Sequence, residues 1–139
     1  MIMEAKVAGV SPKALERFVA VARREARLKG DVNVLLTNDR KMRELNLRFR
    51  RKDKTTDVLS FPSLDGGDIA ISLPLAKQYA RALGHGIGDE LKILILHGAL
   101  HLKGHDHETD HGSMARLEQR LRKKLALPLS LTERAEDRQ

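Results

Sequence analysis

The sequence predicts an α+β domain, a small mixed β-sheet packed against several helices, and three observations carry that expectation. Apolar residues recur at helical spacing in several stretches. Short β-branched or alternating runs lie between those stretches. Two of these runs meet at a Gly-Gly pair, a hairpin signal that does not fit regular βαβ alternation. The 139 residues fall within the range of roughly 100–200 typical of one domain, and no repeat or linker divides them, so 1–139 reads as a single unit.

Taken in order, the first ten residues carry a weak signal for a short strand. Ser11 followed by Pro12 reads as an N-cap with proline at the first helical position. Leu15, Phe18, Val19 and Ala22 then form the apolar stripe, and Gly30 is the expected stop. Val32 and Val34 to Leu36 suit a buried strand. Asn38 can cap a helix in which Met42, Leu45 and Phe49 share a face, leaving the basic residues outside. Residues 55–61 read as a strand closed by Pro62, Gly66-Gly67 as the turn, and Asp68 to Ser72 as the returning strand. Ser72 and Pro74 open a helix that Gly84 ends. From Asp89 to Lys103 the chain is apolar nearly all round, which predicts a helix at the centre of the domain. A last helix over about 110–125 shows Met114, Leu117, Leu121 and Leu125 on one stripe, before a polar tail.

Composition removes whole classes of function. Hydrophobic residues make up 41%, enough for a core without staples. With no cysteine, thiol catalysis, iron–sulfur clusters and Cys-type zinc fingers are excluded. The longest uninterrupted aliphatic stretch, Ile93 to Leu96, is far short of a membrane span. The N-terminus reaches Glu4 at once and lacks an apolar signal core, so a cytoplasmic protein with no membrane partner is expected.

The net charge of +7 is concentrated. Residues 40–54 hold eight basic side chains, Arg48, Arg50, Arg51, Lys52 and Lys54 among them, against Glu44 and Asp53, a net of +6. A second cluster comprises Arg116, Arg120, Arg122, Lys123 and Lys124 against Glu118. Clustered cations are the footprint of a polyanion such as nucleic acid, although a charge run by itself is commonly just a solvated helix face. Three Phe, one Tyr and no Trp are too few for a base-stacking platform, so phosphate contacts should lead.

Four of the six histidines fall between His97 and His107. On a helix, His97 and His101 project from one face a turn apart and can grip one tetrahedral metal ion. Gly104 suits a left-handed helix exit, after which the chain can return with His107 as a third nitrogen. Three protein ligands leave a fourth position open, as in a catalytic zinc site. A lone core histidine is usually only structural. Two at this spacing on so apolar a helix need partners for every buried nitrogen. His105 can face solvent, face a substrate or compete as ligand. His85 and His111 read as surface or capping residues. The spacing H-x-x-x-H-x-x-G-x-x-H is that of the metzincin proteases, but their general-base glutamate is replaced by Gly98.

The run from His97 to His107, with Leu100, Leu102, Gly104 and Asp106, resembles the signature of the YbeY family of bacterial rRNA maturation endoribonucleases. A second block resembles that family too: Leu45-Asn46, Arg50, Lys52-Asp53, Thr56 through Pro62, then Gly67-Asp68-Ile69. Thr55 stands where the family commonly has proline, and His105 where it commonly has tyrosine. The resemblance implies one zinc ion per chain on His97, His101 and His107. It implies a single-strand-directed endoribonuclease acting in small-subunit rRNA 3′-end maturation and ribosome quality control. It also places the family's functional arginine on Arg50, inside the stretch already singled out by charge.

The mechanism expected from these residues is metal-assisted phosphodiester hydrolysis, with His101 and Arg50 as the catalytic pair and Arg48, Arg50, Arg51, Lys52 and Lys54 holding RNA. The proton acceptor stays open among His105, Asp106 and a substrate oxygen. The expected partners are small-subunit rRNA and, by family analogy, ribosomal proteins and the assembly GTPase Era. Two rivals are a non-catalytic zinc-containing assembly factor that binds rRNA and, more remotely, a metzincin-like peptidase.

Overall fold

Three helices begin at a residue whose side-chain oxygen accepts an otherwise unpaired backbone N–H. In the computed structural model, which describes residues 1–3, 7–105 and 111–128, Ser11 accepts from Ala14 N–H at 3.2 Å, Asn38 from Lys41 at 2.9 Å and Ser72 from Leu75 at 3.2 Å. They open α1 (Pro12–Glu25), α2 (Asp39–Arg50) and α3 (Leu73–Leu83), with Gly84 closing α3 at φ 73°. All three caps are those expected from the sequence.

The strands β1 (Ile2–Met3), β2 (Val32–Thr37), β3 (Val58–Ser63) and β4 (Gly66–Ser72) form one mixed sheet in the order β1-β2-β4-β3. Strands β1, β2 and β4 run parallel, and β3 returns antiparallel on the β4 edge. Alternation sorts their side chains between two layers. Val34, Leu36, Val58, Ile69 and Ile71 join the main core, while Leu59 and Ala70 pack with Met42 of α2 on the opposite face.

The main core is centred on α4 (Ile87–Leu102), which packs against α1, α3, β3, β4 and α5 (Ser113–Lys124). Leu91, Ile93, Leu94, Ile95, Leu96, Ala99 and Leu100 are each 0% exposed, so this helix is covered on every side. Each buried Leu or Ile side chain contributes about 1.5–3 kcal/mol. Gly98 allows the close approach: a Cβ there would lie 2.9 Å from Cγ2 of Ile69 on β4. Ser60 of β3 locks the same turn by donating to the Gly98 carbonyl at 3.0 Å. Among the described residues, no helix is long and apolar enough to cross a membrane.

Several boundaries differ from the sequence reading. Helix α1 stops at Glu25, and Arg27 takes the left-handed conformation at φ 60°. Gly30 instead supports the hairpin, donating to the Asp65 carbonyl at 2.7 Å, where a side chain would strike backbone. Pro62 lies inside β3, which tolerates it because β3 is an edge strand. The turn falls at Leu64–Asp65, with Asp65 at φ 55°, and Gly66 and Gly67 begin β4. A Cβ on Gly66 would lie 2.2 Å from the Asp31 carbonyl, so these glycines serve close packing rather than the turn. On α2 the buried residues are Met42 and Asn46, with Leu45 partly buried, while Phe49 is 57% exposed and meets Phe61 edge to face.

Candidate metal centre and nucleic-acid face

Both histidines of the central helix project from one face, as their four-residue spacing requires. Their Nε2 atoms stand 3.1 Å apart, with the rings at 70°. His97 is buried and His101 half-buried, so one ring lies inside and the other opens towards solvent. Two nitrogens bound at about 2.0–2.1 Å to a tetrahedral zinc would be separated by roughly 3.3 Å. The observed gap is close to that. Nδ1 of His97 is bonded to Oε1 of Glu118 on α5. An ionised carboxylate can only accept, so Nδ1 carries the hydrogen, and it is the neutral form of the ring that keeps an Nε2 lone pair facing the gap.

Glu118 is itself fixed. Its Oε2 accepts from Nη2 of Arg122 at 2.7 Å, one helical turn along α5. The Arg122 side chain is fully buried and that of Glu118 is 9% exposed. The guanidinium offsets the carboxylate's charge where water cannot. Neither residue was singled out for this role from the sequence, and Arg122 is not part of the surface basic cluster in which it was counted. The available signal was Glu118 itself, a carboxylate within the apolar stripe of its helix, with Arg122 at i+4.

After α4 the chain exits through Gly104 at φ 104°, with His105 N–H donating to the Leu100 carbonyl at 3.1 Å. The left-handed exit expected of this glycine is present. His105 is half-buried. His107 and Asp106 lie outside the described residues, as does residue 110 of the expected last helix, whose helical turns begin at Ser113. Among the described residues no group of three metal-binding side chains is found. Nε2 of His85 donates to the buried carboxylate of Glu90 at 2.7 Å, while His111 lies exposed on the surface.

Arg48 and Arg50 occupy the last turn of α2, and Arg51 caps it at φ 57°. Buried Asn46 shapes the following segment, donating to the Lys54 carbonyl at 2.8 Å while its own carbonyl accepts from Lys52 N–H at 3.2 Å. Arg48, Arg50, Arg51, Lys52 and Lys54 are all exposed. The two acids of the stretch are engaged elsewhere, Glu44 with Arg40 at 3.7 Å and Asp53 with Arg43 at 2.6 Å. The hydrogen bond and charge of Arg43 hold the Asp53 carboxyl below its ordinary range, and Asp53 raises Arg43 in turn. The Arg48 guanidinium stacks over the Phe49 ring at 5.3 Å. Thus His97 and His101 are brought together directly, whereas Arg50 stands on a different helix and its side chain bonds to no other described residue.

Residues 3–126 match the model of a family described as Endoribonuclease YbeY. A protein named Endoribonuclease YbeY from Koribacter versatilis is 56% identical over 137 residues, covering 96% of this chain and 90% of its own length. Its namesake from Nautilia profundicola is 51% identical over 112 residues, covering 77% and 81%. The solution structure of a Thermotoga maritima protein superposes with a TM-score of 0.56 at 28% identity, covering 90% of this chain and 91% of the other. With the match spanning nearly the whole fold and both motif blocks, the chain belongs to the Endoribonuclease YbeY family.

Proposed function

We propose that this chain is a zinc-dependent endoribonuclease that cuts single-stranded RNA, working in the cytoplasm on the 3′ end of small-subunit rRNA and in ribosome quality control. The observation that carries the metal half of this reading is the paired Nε2 atoms of His97 and His101 at 3.1 Å, with His97 oriented by Glu118. His107 is the third ligand in this reading. Ribosomal proteins and the GTPase Era are the partners proposed by family analogy.

A zinc ion held there supplies Lewis acidity and a nucleophile available near neutral pH. The protein's own groups do the rest. Glu118 fixes the His97 tautomer and ring plane, so a neutral His97 offers its Nε2 to the ion, and His101 would join it by giving up the hydrogen it donates across the 3.1 Å contact. Arg50 grips a phosphate bidentately and offsets charge that develops on its oxygens during cleavage. Arg48, Arg51, Lys52 and Lys54 hold the flanking backbone, on a segment that Asn46 keeps in shape. A peptidase is disfavoured because position 98 faces Ile69 on the sheet, leaving no room for a glutamate aimed at the metal.

The test is cleavage of a structured rRNA fragment by zinc-reconstituted wild type beside His101→Ala purified identically. Cleavage by the wild type alone supports the reading. Equal cleavage by both indicates a contaminating nuclease. RNA binding without cleavage by either would replace it with a zinc-containing assembly factor.

A further inference from the structure

A cleft lies between the C-terminal ends of α1 and α4 and one face of α5. It encloses about 730 Å³. Leu100 and Leu117 line it, each one position from a member of the histidine–carboxylate pairing (His101 and Glu118), and His105 forms part of the wall. Its floor is aliphatic: Leu100, Leu117 and Leu121. Its rim is cationic: Arg24 and Arg27 from the end of α1, Lys103 from the end of α4, and Arg120 from α5.

Among the described residues, the rim charges are not balanced locally. Glu25 is the acidic group in the lining, and Lys124 engages both of its oxygens at 2.9 and 3.1 Å. Lys103 is positioned by donating to the Arg27 carbonyl at 3.2 Å. Arg24, Arg27 and Arg120 form no ion pair with any described residue, and all three are exposed. Complementing the α1 dipole accounts for Arg24, in its last turn, but not for Arg120 in the middle of α5. Cations drawn from three helices towards one concavity repel each other until an anion joins them. An aliphatic floor under such a rim suits a nucleotide, with apolar surface for the base and guanidiniums for the phosphate.

We propose that this cleft is a subsite for one nucleotide of the RNA strand, outside the bond that is cut, with Arg27 and Arg120 on its phosphate and Leu117 under its base. It rests on the endoribonuclease reading and adds an RNA contact that shares no residue with the α2 stretch. Arg116, Lys123 and Lys124 of the second basic cluster then flank the strand's path, and Arg122 takes no part.

The experiment measures binding of a fluorescent single-stranded RNA to the full-length protein by anisotropy across a salt series, with probe integrity checked on a gel. Arg27→Gln with Arg120→Gln should weaken binding about tenfold and lower the slope of log Kd on log salt by about 1.4, the value for two single-strand phosphate contacts. Leu117→Asn should weaken binding with the slope unchanged, because it removes apolar floor and no charge. A control pair on α3, Lys77→Gln with Arg81→Gln, should move neither quantity. An unchanged slope in the arginine pair, or an equal loss in the control pair, overturns the subsite while leaving RNA binding intact. Failure of wild type to bind RNA would overturn the subsite together with the reading on which it rests.

Discussion

Glu118 and His97 are 21 positions apart in the chain, yet the carboxylate holds Nδ1 of the ring while its other oxygen takes the buried guanidinium of Arg122 at 2.7 Å. The ring's direction is therefore set from α5, whereas the helix that carries it sets only its position. Replacing Glu118 by Gln keeps the shape and removes the charge that polarises the ring. Zinc affinity, measured by chelator competition, should fall about 10–100-fold. Glu118→Ala should in addition destabilise the fold by about 3–5 kcal/mol in chemical denaturation, because it leaves Arg122 buried without its carboxylate. Unchanged zinc affinity in the Gln variant would show that Glu118 serves packing alone.

Metal content separates the two candidates for the third nitrogen. His107→Ala should lose zinc as completely as His101→Ala, while His105→Ala should retain one ion per chain by elemental analysis. His105 follows directly on Gly104, and its N–H closes the helix end. A zinc-free His105→Ala protein would exchange the two assignments.

Much of this arrangement is legible locally. The caps at Ser11, Asn38 and Ser72, the close of α3 at Gly84 and the burial of α4 each depend on residues within a few positions. The histidine pair is legible for the same reason, since i,i+4 on one helix is a local relationship. What the sequence hides depends on distant contacts. Gly30, Gly66 and Gly67 look like punctuation, but their role is set by backbone from another segment pressed against them. Pro62 looks like a stop because nothing local reveals that β3 is an edge strand. Glu118 and Arg122 carry a local signal, a carboxylate in an apolar stripe with a cation at i+4, but their pairing with His97 appears only when α4 is laid against them.

Arg50 tests the phosphate half of the reading. It is exposed at the end of α2 and takes no part in the core, so Arg50→Ala should leave thermal stability and zinc content unchanged. Its kcat/KM for RNA should fall about 100-fold or more, the scale of removing one group that stabilises developing charge. Arg50→Lys should recover little, because an ammonium cannot reproduce the bidentate grip. Wild-type activity in the Ala variant would remove Arg50 from the mechanism.

The Arg43–Asp53 pair predicts a small acid dependence. Because Asp53 is depressed in the folded state, its contribution is present above the ordinary carboxylate range and is lost as pH falls through its lowered value. Both groups are exposed, so the effect on melting temperature should be slight. The Asp53 carboxyl, followed by carbon NMR, should titrate below the ordinary value of 3.8 and return to it in Arg43→Ala.

Gly98 links the fold to the chemistry the chain lacks. A side chain at this position is directed at Ile69, with Cγ2, Cδ1 and Cγ1 at 2.9, 3.1 and 3.2 Å from a Cβ. Gly98→Ala gains about 1 kcal/mol of helix propensity, but crowding a packed core costs about 1–3 kcal/mol, so a net loss of stability is expected. Combining it with Ile69→Ala should cost less than the two single losses added together, since each change makes room for the other. Strict additivity in that double-mutant cycle, read by urea denaturation, would mean that the helix does not lie against β4 as described. Gly98→Glu restores the protease motif on paper, yet it should unfold the domain rather than confer peptidase activity. The carboxylate would enter the sheet interface, where it has neither water nor a cation to meet it.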